Sequence, residues 1–117
     1  PLDTDLAEAH GTGEARSPTC GSTLRTSVRL EDGRIAALTQ KVTACAYGQA
    51  SAALVQGWAP GRLKAEVIVM RAALKAWLEG RAEVPDAFAM LAPVHGRSGR
   101  HGAVLLPFDA LLAALKE

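Results

Sequence analysis

The sequence predicts an α+β domain in which a small, antiparallel, three-stranded sheet is followed by helices packed on one of its faces. Two observations carry this prediction. Apolar and polar residues alternate around an Asp-Gly pair in the first half of the chain, and apolar residues recur at helical spacing in the second half. With 117 residues the chain can bury one core but not two.

The clearest strand runs over residues 24–30, where apolar or β-branched side chains alternate with polar ones. Asp32-Gly33 follows as a turn pair that accepts positive φ, and residues 35–42 then return as a second antiparallel strand. We expect a third short strand immediately before Cys45. These strands supply the predicted sheet.

Residues 1–19 are polar and rich in small side chains, so we expect them to form a loosely ordered N-terminal arm. Residues 20–117 are expected to fold as a single domain. Because the chain begins with Pro1 rather than methionine, we also expect a leading segment to be missing from this sequence.

The first predicted helix opens at Cys45 and is closed by Pro60-Gly61. A longer amphipathic helix follows from Leu63 to Leu78, and we expect it to lie on the sheet.

Residues 81–102 contain prolines and end in a run of Gly, Arg and His, which is typical of a flexible basic loop. The last helix is expected to begin at Pro107, because proline is accepted in a first helical turn.

The composition excludes several classes of function. The chain has 13 Lys and Arg against 12 Asp and Glu, so no overall charge attracts nucleic acid, and no apolar run is long enough to span a membrane. Two cysteines do not form the disulfide framework of a secreted domain. We therefore expect a cytoplasmic protein.

Cys20 and Cys45 are the candidate functional residues, since each stands where one structural element gives way to another. Cys20 lies between Thr19 and Gly21 in a tight loop before a strand. Cys45 opens a helix, where unpaired amides and the helix dipole favour the thiolate that binds metal or attacks sulfur. The alternative for both is a buried thiol that packs as a small hydrophobic residue.

A series of residues resembles the NifU/IscU-type iron-sulfur cluster scaffold domain over most of residues 16–115. The matching features are Ser17-Pro18-Thr19-Cys20-Gly21 before a hairpin, Cys45 at a helix start followed by Ala50-Ser51, then Leu54, Trp58, Gly61-Arg62 and the stretch from Leu106 to Leu115. The resemblance implies a three-stranded antiparallel sheet with several helices. It also implies that Cys20 and Cys45 hold a [2Fe-2S] cluster built with sulfur from a cysteine desulfurase.

The sequence departs from this family at two positions. Ser22 stands where the family has an acidic residue after Cys-Gly, and Ala103 stands where it has a third cysteine. His101 lies close to that position and His95 shares the same loop, so we take His101 as the third candidate metal ligand beside Cys20 and Cys45.

Three interpretations use these residues. In the first, the chain is a divergent scaffold, not an enzyme, that binds iron and sulfur transiently and passes a cluster to apo-protein acceptors. In the second, it is a degenerate, metal-free accessory subunit of a larger complex. In the third, the same residues form a structural zinc site with a closed fourth position. Tetrahedral iron or zinc needs four donors, so a partner, water, persulfide or second protomer would complete the set of three in the first interpretation.

Overall fold

The computed structural model describes residues 9–17, 21–96 and 101–115. Three strands, β1 (Gly11–Arg16), β2 (Thr23–Glu31) and β3 (Arg34–Thr43), form one antiparallel sheet in the order β1-β2-β3. The helical elements are α1 (Ala46–Trp58), α2 (Lys64–Leu78), a 3-10 segment (Asp86–Gly96) with a kink at Phe88, and α3 (His101–Ala114). The predicted α+β class with a three-stranded antiparallel sheet is confirmed.

A two-residue turn joins β2 to β3. Asp32 has φ 54° and Gly33 has φ 78°, and Glu31 pairs with Arg34 on either side of them. Positive φ at both central residues gives a turn whose twist matches that of the two strands. The Asp-Gly turn and the two strands around it are therefore where the sequence predicted them.

β1 is the third strand, and it was not predicted. Gly11 and Gly13 let α3 lie directly on it, because a Cβ placed on Gly13 would stand 2.5 Å from the carbonyl oxygen of Ala110. Residues 11–16 therefore form a strand rather than part of a loosely ordered arm. The expected boundary between residues 19 and 20 lies outside the described residues.

No separate strand precedes Cys45 in this described stretch, because β3 continues without a break to Thr43. The pairing of β2 with β3 extends over this whole length, from the turn to the pair formed by Thr23 and Thr43. The prediction of a further short strand there is wrong, and β1 completes the sheet instead.

The helices that lie on the sheet are α3 and α1, not α2 as predicted. α3 packs against β1 and β2, α1 covers β3, and α2 packs mainly against α3. The physical reason is composition, because a helix that is apolar on most sides is stable only when it is surrounded. The buried residues of α3 show this: Ala103, Val104, Leu106, Pro107, Phe108, Ala110, Leu111 and Ala114.

α3 is already helical at His101, six residues before the predicted start at Pro107. The prediction placed Pro107 in a first turn because proline in a helix interior removes a backbone hydrogen bond and strains the preceding turn. Here Pro107 lies inside the helix and is buried. Burial of the apolar residues around it offsets that cost.

Residues 86–96 form the 3-10 segment rather than the predicted flexible loop. Phe88, Leu91 and Val94 recur every third residue and are 0%, 3% and 0% exposed. Since a 3-10 helix has three residues per turn, Leu91 and Val94 lie on one face after the kink, and Phe88 is buried at the kink itself. Residues 97–100 of that predicted loop lie outside the described residues, and residues 101–102 belong to α3.

An aromatic cluster at the centre of the core ties the helical elements together. The ring centroids of Trp58, Phe88 and Phe108 lie 5.5 to 6.1 Å apart, so the cluster joins α1, the 3-10 segment and α3. Among the helices in the described ranges, none is both long and apolar enough to cross a membrane.

Candidate functional site

The described residues on either side of Cys20 and those before Cys45 lie at the same end of the sheet. Thr23, the first residue of β2, pairs with Thr43, the last residue of β3, and also with Arg16 at the end of β1. Gly21 and Ser22 lead into Thr23, and Cys45 comes two residues after Thr43. The described residues that flank the two cysteines in sequence therefore lie at one edge of the domain.

The connection from β1 to β2 is closed by backbone hydrogen bonds. Ser17 N–H donates to the carbonyl of Ser22 at 2.8 Å, and Gly21 N–H donates to the carbonyl of Ser17 at 2.9 Å. Gly21 has φ 71°, a conformation that glycine adopts without strain. Cys20 itself lies outside the described residues.

Cys45 begins α1, as predicted. It occupies the N-cap position with φ −69° and ψ 176°, and its carbonyl accepts a hydrogen bond from Gln49 N–H at 2.9 Å. Its side chain is half-buried, and the first turn of α1 has no acidic residue. The free amides at the start of a helix stabilise negative charge nearby, so a cluster with anionic sulfur ligands is compatible with this position.

The start of α3 lies against the start of α1. A Cβ placed on Gly48 would stand 3.6 Å from Cβ of Ala103 and 2.7 Å from Cβ of Ala44. Ala103 is 1% exposed. The position that the resemblance assigns to a third thiol is thus close to the Cys45 end of α1, but its methyl group cannot bind a metal.

A buried hydrogen bond joins these two helices one turn further on. Ser51 donates its hydroxyl hydrogen to the carbonyl of Val104 at 2.7 Å, and Ser51 is 0% exposed. Ser51 is therefore neither a nucleophile open to substrate nor a solvent-facing helix residue. It is a contact between α1 and α3.

His101 lies in the first turn of α3 and contacts the end of the 3-10 segment. Its Nε2 is 3.0 Å from the carbonyl oxygen of His95, and the His95 Nε2 is 2.8 Å from the carbonyl oxygen of Trp77. A carbonyl oxygen only accepts, so both Nε2 atoms carry the hydrogen. In the neutral ring, Nδ1 of His101 is then the nitrogen with a free lone pair.

A groove of about 470 Å³ opens beside this end of the sheet. It is lined mainly by charged and threonine side chains of the three strands, with two apolar residues: Glu14, Ala15, Arg16, Thr23, Leu24, Arg25, Lys41 and Thr43. Arg25 and Glu14 form an ion pair at 3.4 Å across β1 and β2.

Ser22, where the family has an acidic residue, is 5% exposed.

Within the part of the chain that the structure describes, no three His, Cys, Asp or Glu side chains come close enough to hold a metal ion. Cys20 is not among these described residues. The predicted set of Cys20, Cys45 and His101 therefore stays a prediction. Of its members, the structure places Cys45 at the start of α1 and His101 at the start of α3.

These features define a small α+β domain that carries a cysteine at a helix start beside a second helix start. Comparison of the fold with solved structures identifies relatives. A nitrogen-fixing NifU-like protein (N-terminal) from Brucella abortus has a TM-score of 0.89 and 30% identity, with 97% of this chain and 81% of that chain covered. The chain belongs to the family of NifU/IscU-type domains.

Two further structures share the fold. A putative iron-sulfur cluster assembly scaffold protein for the SUF system from Fervidobacterium islandicum AW-1 has a TM-score of 0.85 and 22% identity, covering 96% of this chain and 85% of that one. A hypothetical protein has a TM-score of 0.86 and 21% identity, covering 97% and 86%. No protein-family model matches the chain, and no curated protein matches it in sequence.

Sequence reasoning missed the contact between α1 and α3. Gly48 and Ser51 are three residues apart, so they lie on one face of α1, and both are buried. A glycine and a serine at this spacing in a helix are a signal for close packing of another backbone. The signal does not identify the partner, which lies 53 residues away in sequence for Ser51.

Proposed function

We propose that this chain is a divergent scaffold for iron-sulfur cluster assembly. It would bind iron and sulfur through Cys20 and Cys45, with His101 as the third ligand, and pass a [2Fe-2S] cluster to apo-protein acceptors. The main support is the pairing of Thr23 with Thr43, since it brings the segments on either side of the two cysteines to one end of the sheet. The 30% identity to the NifU-like protein supports the same role.

The sulfur chemistry would begin with a persulfide on a cysteine desulfurase. A thiolate of this chain attacks the outer sulfur, the S–S bond breaks, and the donor cysteine leaves as a thiolate. Reduction of that sulfur to sulfide takes two electrons from a reductant outside this chain. Throughout, the protein holds and transfers cargo and is not an enzyme in the ordinary sense.

His101 would bind iron through Nδ1. Its Nε2–H is held by the carbonyl of His95, and such a hydrogen bond to the second nitrogen is the usual way in which a protein orients a histidine ligand. The fourth donor would be water, a persulfide or a group from the acceptor. A second copy of the chain would also supply it, since two protomers together offer four cysteines.

Two residues favour the metal-free alternative, in which the domain is an accessory subunit of a larger complex. Ala103 is buried and provides no ligand where the family has a third thiol, and Ser22 provides no carboxylate. The structural zinc site is a third candidate with the same ligands.

We also propose that the protein is cytoplasmic, because its two cysteines do not form the disulfide framework of a secreted domain.

Metal analysis separates these candidates. The protein is purified without oxygen, and iron, zinc and acid-labile sulfide are measured before and after reconstitution with iron and sulfide. The wild type is compared with Cys20→Ala, Cys45→Ala and His101→Asn. His10→Asn is the matched control, because His10 lies outside the proposed site and accepts a hydrogen bond from Leu30 N–H.

A scaffold shows visible charge-transfer absorption that is lost in both cysteine variants, weakened in His101→Asn and retained in His10→Asn. Stoichiometric zinc that resists exchange would favour the structural zinc site. The absence of any metal, with unchanged folding of both cysteine variants, would favour the accessory subunit and contradict the scaffold.

A further inference from the structure

Ser51 has a hydroxyl group that the proposed chemistry does not use. It is fully buried on α1, and it donates to a backbone carbonyl of α3 at 2.7 Å. Because this hydroxyl is shielded from water, breaking its bond to the carbonyl would leave a buried polar group unpaired, which costs free energy. The bond therefore restrains both helices at this point.

The acceptor lies next to a gap in the hydrogen bonds of α3. Pro107 has no N–H, so the carbonyl of Ala103, four residues earlier, has no helical donor there. The first turn of α3 is consequently tied to the rest of its helix by fewer hydrogen bonds. The next carbonyl, that of Val104, is the one that Ser51 binds.

The first turn of α3, which this bond restrains, contains two residues of the candidate site. It contains His101 and Ala103, and Ala103 lies against Gly48, one turn before Ser51 on the same face of α1. The same face of α1 leads back to Ala44 and the N-cap Cys45. A loss of the bond at Ser51 would therefore be felt first where α3 meets the Cys45 end of α1.

We propose that Ser51 is a positioning residue, whose hydrogen bond to Val104 holds the first turn of α3 in place beside Cys45. The proposal deepens the proposed function and rests on it, because the positioned turn matters for cluster binding only if the chain is a scaffold. The geometric effect itself can be measured without a cluster. This allows the two proposals to fail separately.

The test compares Ser51→Ala with Thr26→Val. Thr26 is 1% exposed and its hydroxyl donates to the carbonyl of Thr39 at 2.8 Å, so Thr26→Val removes a buried bond of the same kind from the sheet. Both changes are made in a Cys20→Ser background, in which Cys45 is the only thiol. Hydrogen exchange of residues 101–106 and the rate of alkylation of Cys45 by iodoacetamide are measured.

We expect Ser51→Ala to accelerate exchange in residues 101–106 by about tenfold, because the first turn opens locally. We expect the alkylation rate of Cys45 to change by about twofold or more. Thr26→Val should lower the thermal midpoint but leave both readouts close to those of the parent. If the two variants change both readouts equally, or if Ser51→Ala changes neither, Ser51 has no positioning role.

If Ser51→Ala does not fold, hydrogen exchange of residues 101–106 is measured in Ser51→Thr instead, since threonine retains the hydroxyl. Exchange like that of the parent supports the proposal, and exchange as fast as in an unprotected segment overturns it. Reconstitution with iron and sulfide, in the background that retains both cysteines, is a separate arm. A parent that takes up no cluster contradicts the scaffold, while the exchange data still decide the role of Ser51.

Discussion

Gly48 of α1 lies against Ala103 of α3: a Cβ placed on Gly48 would stand at an ordinary contact distance of 3.6 Å from the Ala103 Cβ, but only 2.7 Å from the Ala44 Cβ. This contact brings two helix starts together at the end of the sheet where Cys45 lies. It also places the residue that stands in for a third thiol beside the first turn of α1. The shape of the candidate site thus depends on two of the smallest side chains in the chain.

A methyl group at Gly48 should destabilise the fold. We expect Gly48→Ala to lower the free energy of unfolding by about 1–3 kcal/mol, because its Cβ would stand 2.7 Å from that of Ala44. Gly57→Ala is the matched control on the same helix, where a Cβ meets nothing within 4 Å. It should be neutral or stabilising by about 0.5–1 kcal/mol. Urea denaturation measures both, and equal effects would show that the contact at Gly48 is not tight.

A thiol restored at position 103 should improve cluster binding. If the proposed function holds, Ala103→Cys will bind more iron and sulfide after reconstitution. Its cluster will resist a chelator about tenfold longer or more, since even partners outside the ligand shell change metal affinity by about that factor. Ala52→Cys, at another position that is 1% exposed, is the control. An equal gain in both variants would mean that the added thiol acts nonspecifically.

The imidazole tautomers provide a test that needs no metal. His95 and His101 each place Nε2 within hydrogen-bonding distance of a carbonyl oxygen, so both neutral rings should carry their hydrogen on Nε2. Long-range ¹H–¹⁵N spectra at about pH 8, where histidine is ordinarily neutral, measure this directly. Addition of zinc should then shift Nδ1 of His101 and leave that of His10 unchanged. A hydrogen on Nδ1 of His101 would contradict the proposed mode of binding.

The start of α2 should respond to acid through Glu66. The Leu63 N–H donates to its carboxylate at 2.8 Å, and this bond, with the charges of Arg62 and Arg34, lowers the pKa of Glu66 below its ordinary value of 4.5. A carboxyl whose pKa is lower in the folded state stabilises the fold above its unfolded pKa, and this contribution is lost as the pH falls through the folded pKa.

We therefore expect Glu66→Gln to have a lower thermal midpoint than the wild type at pH 7. The difference should close as the pH is lowered past 4.5, because the protonated carboxyl and the amide are then both neutral. Glu83→Gln, at an exposed glutamate outside this contact, controls for the loss of a surface charge. A difference that persists unchanged into acid would show that the charge of Glu66 is not its source.

The parts of the fold that follow from local patterns were predictable. Asp32-Gly33 specifies its own turn, and alternation specifies β2, because both signals arise within a few residues. β1 was missed since Gly11 and Gly13 contribute no side chains to an alternating pattern. Their role is to admit the backbone of α3, about 100 residues later in sequence, and no local signal describes that contact.

Part of the candidate site was likewise predictable from local patterns, and part was not. Cys45 at a helix start was evident from the sequence, whereas the meeting of α1 with α3 depends on which helix is most completely buried. Packing over the whole core decides which helix is buried on the sheet: α3 packs against β1 and β2, and α2 packs mainly against α3. Pro107 shows the same competition, since burial of its neighbours outweighs its poor helix propensity.

By itself, the sequence of this protein determined the strands around one turn, the first two helices and the chemistry available to two thiols and a histidine. Only the tertiary structure decided that Gly48, Ser51, Ala103 and Val104 meet. The physical reason is range: turns and periodic patterns act between neighbours in the chain, while close packing acts between surfaces that come together only when the core forms.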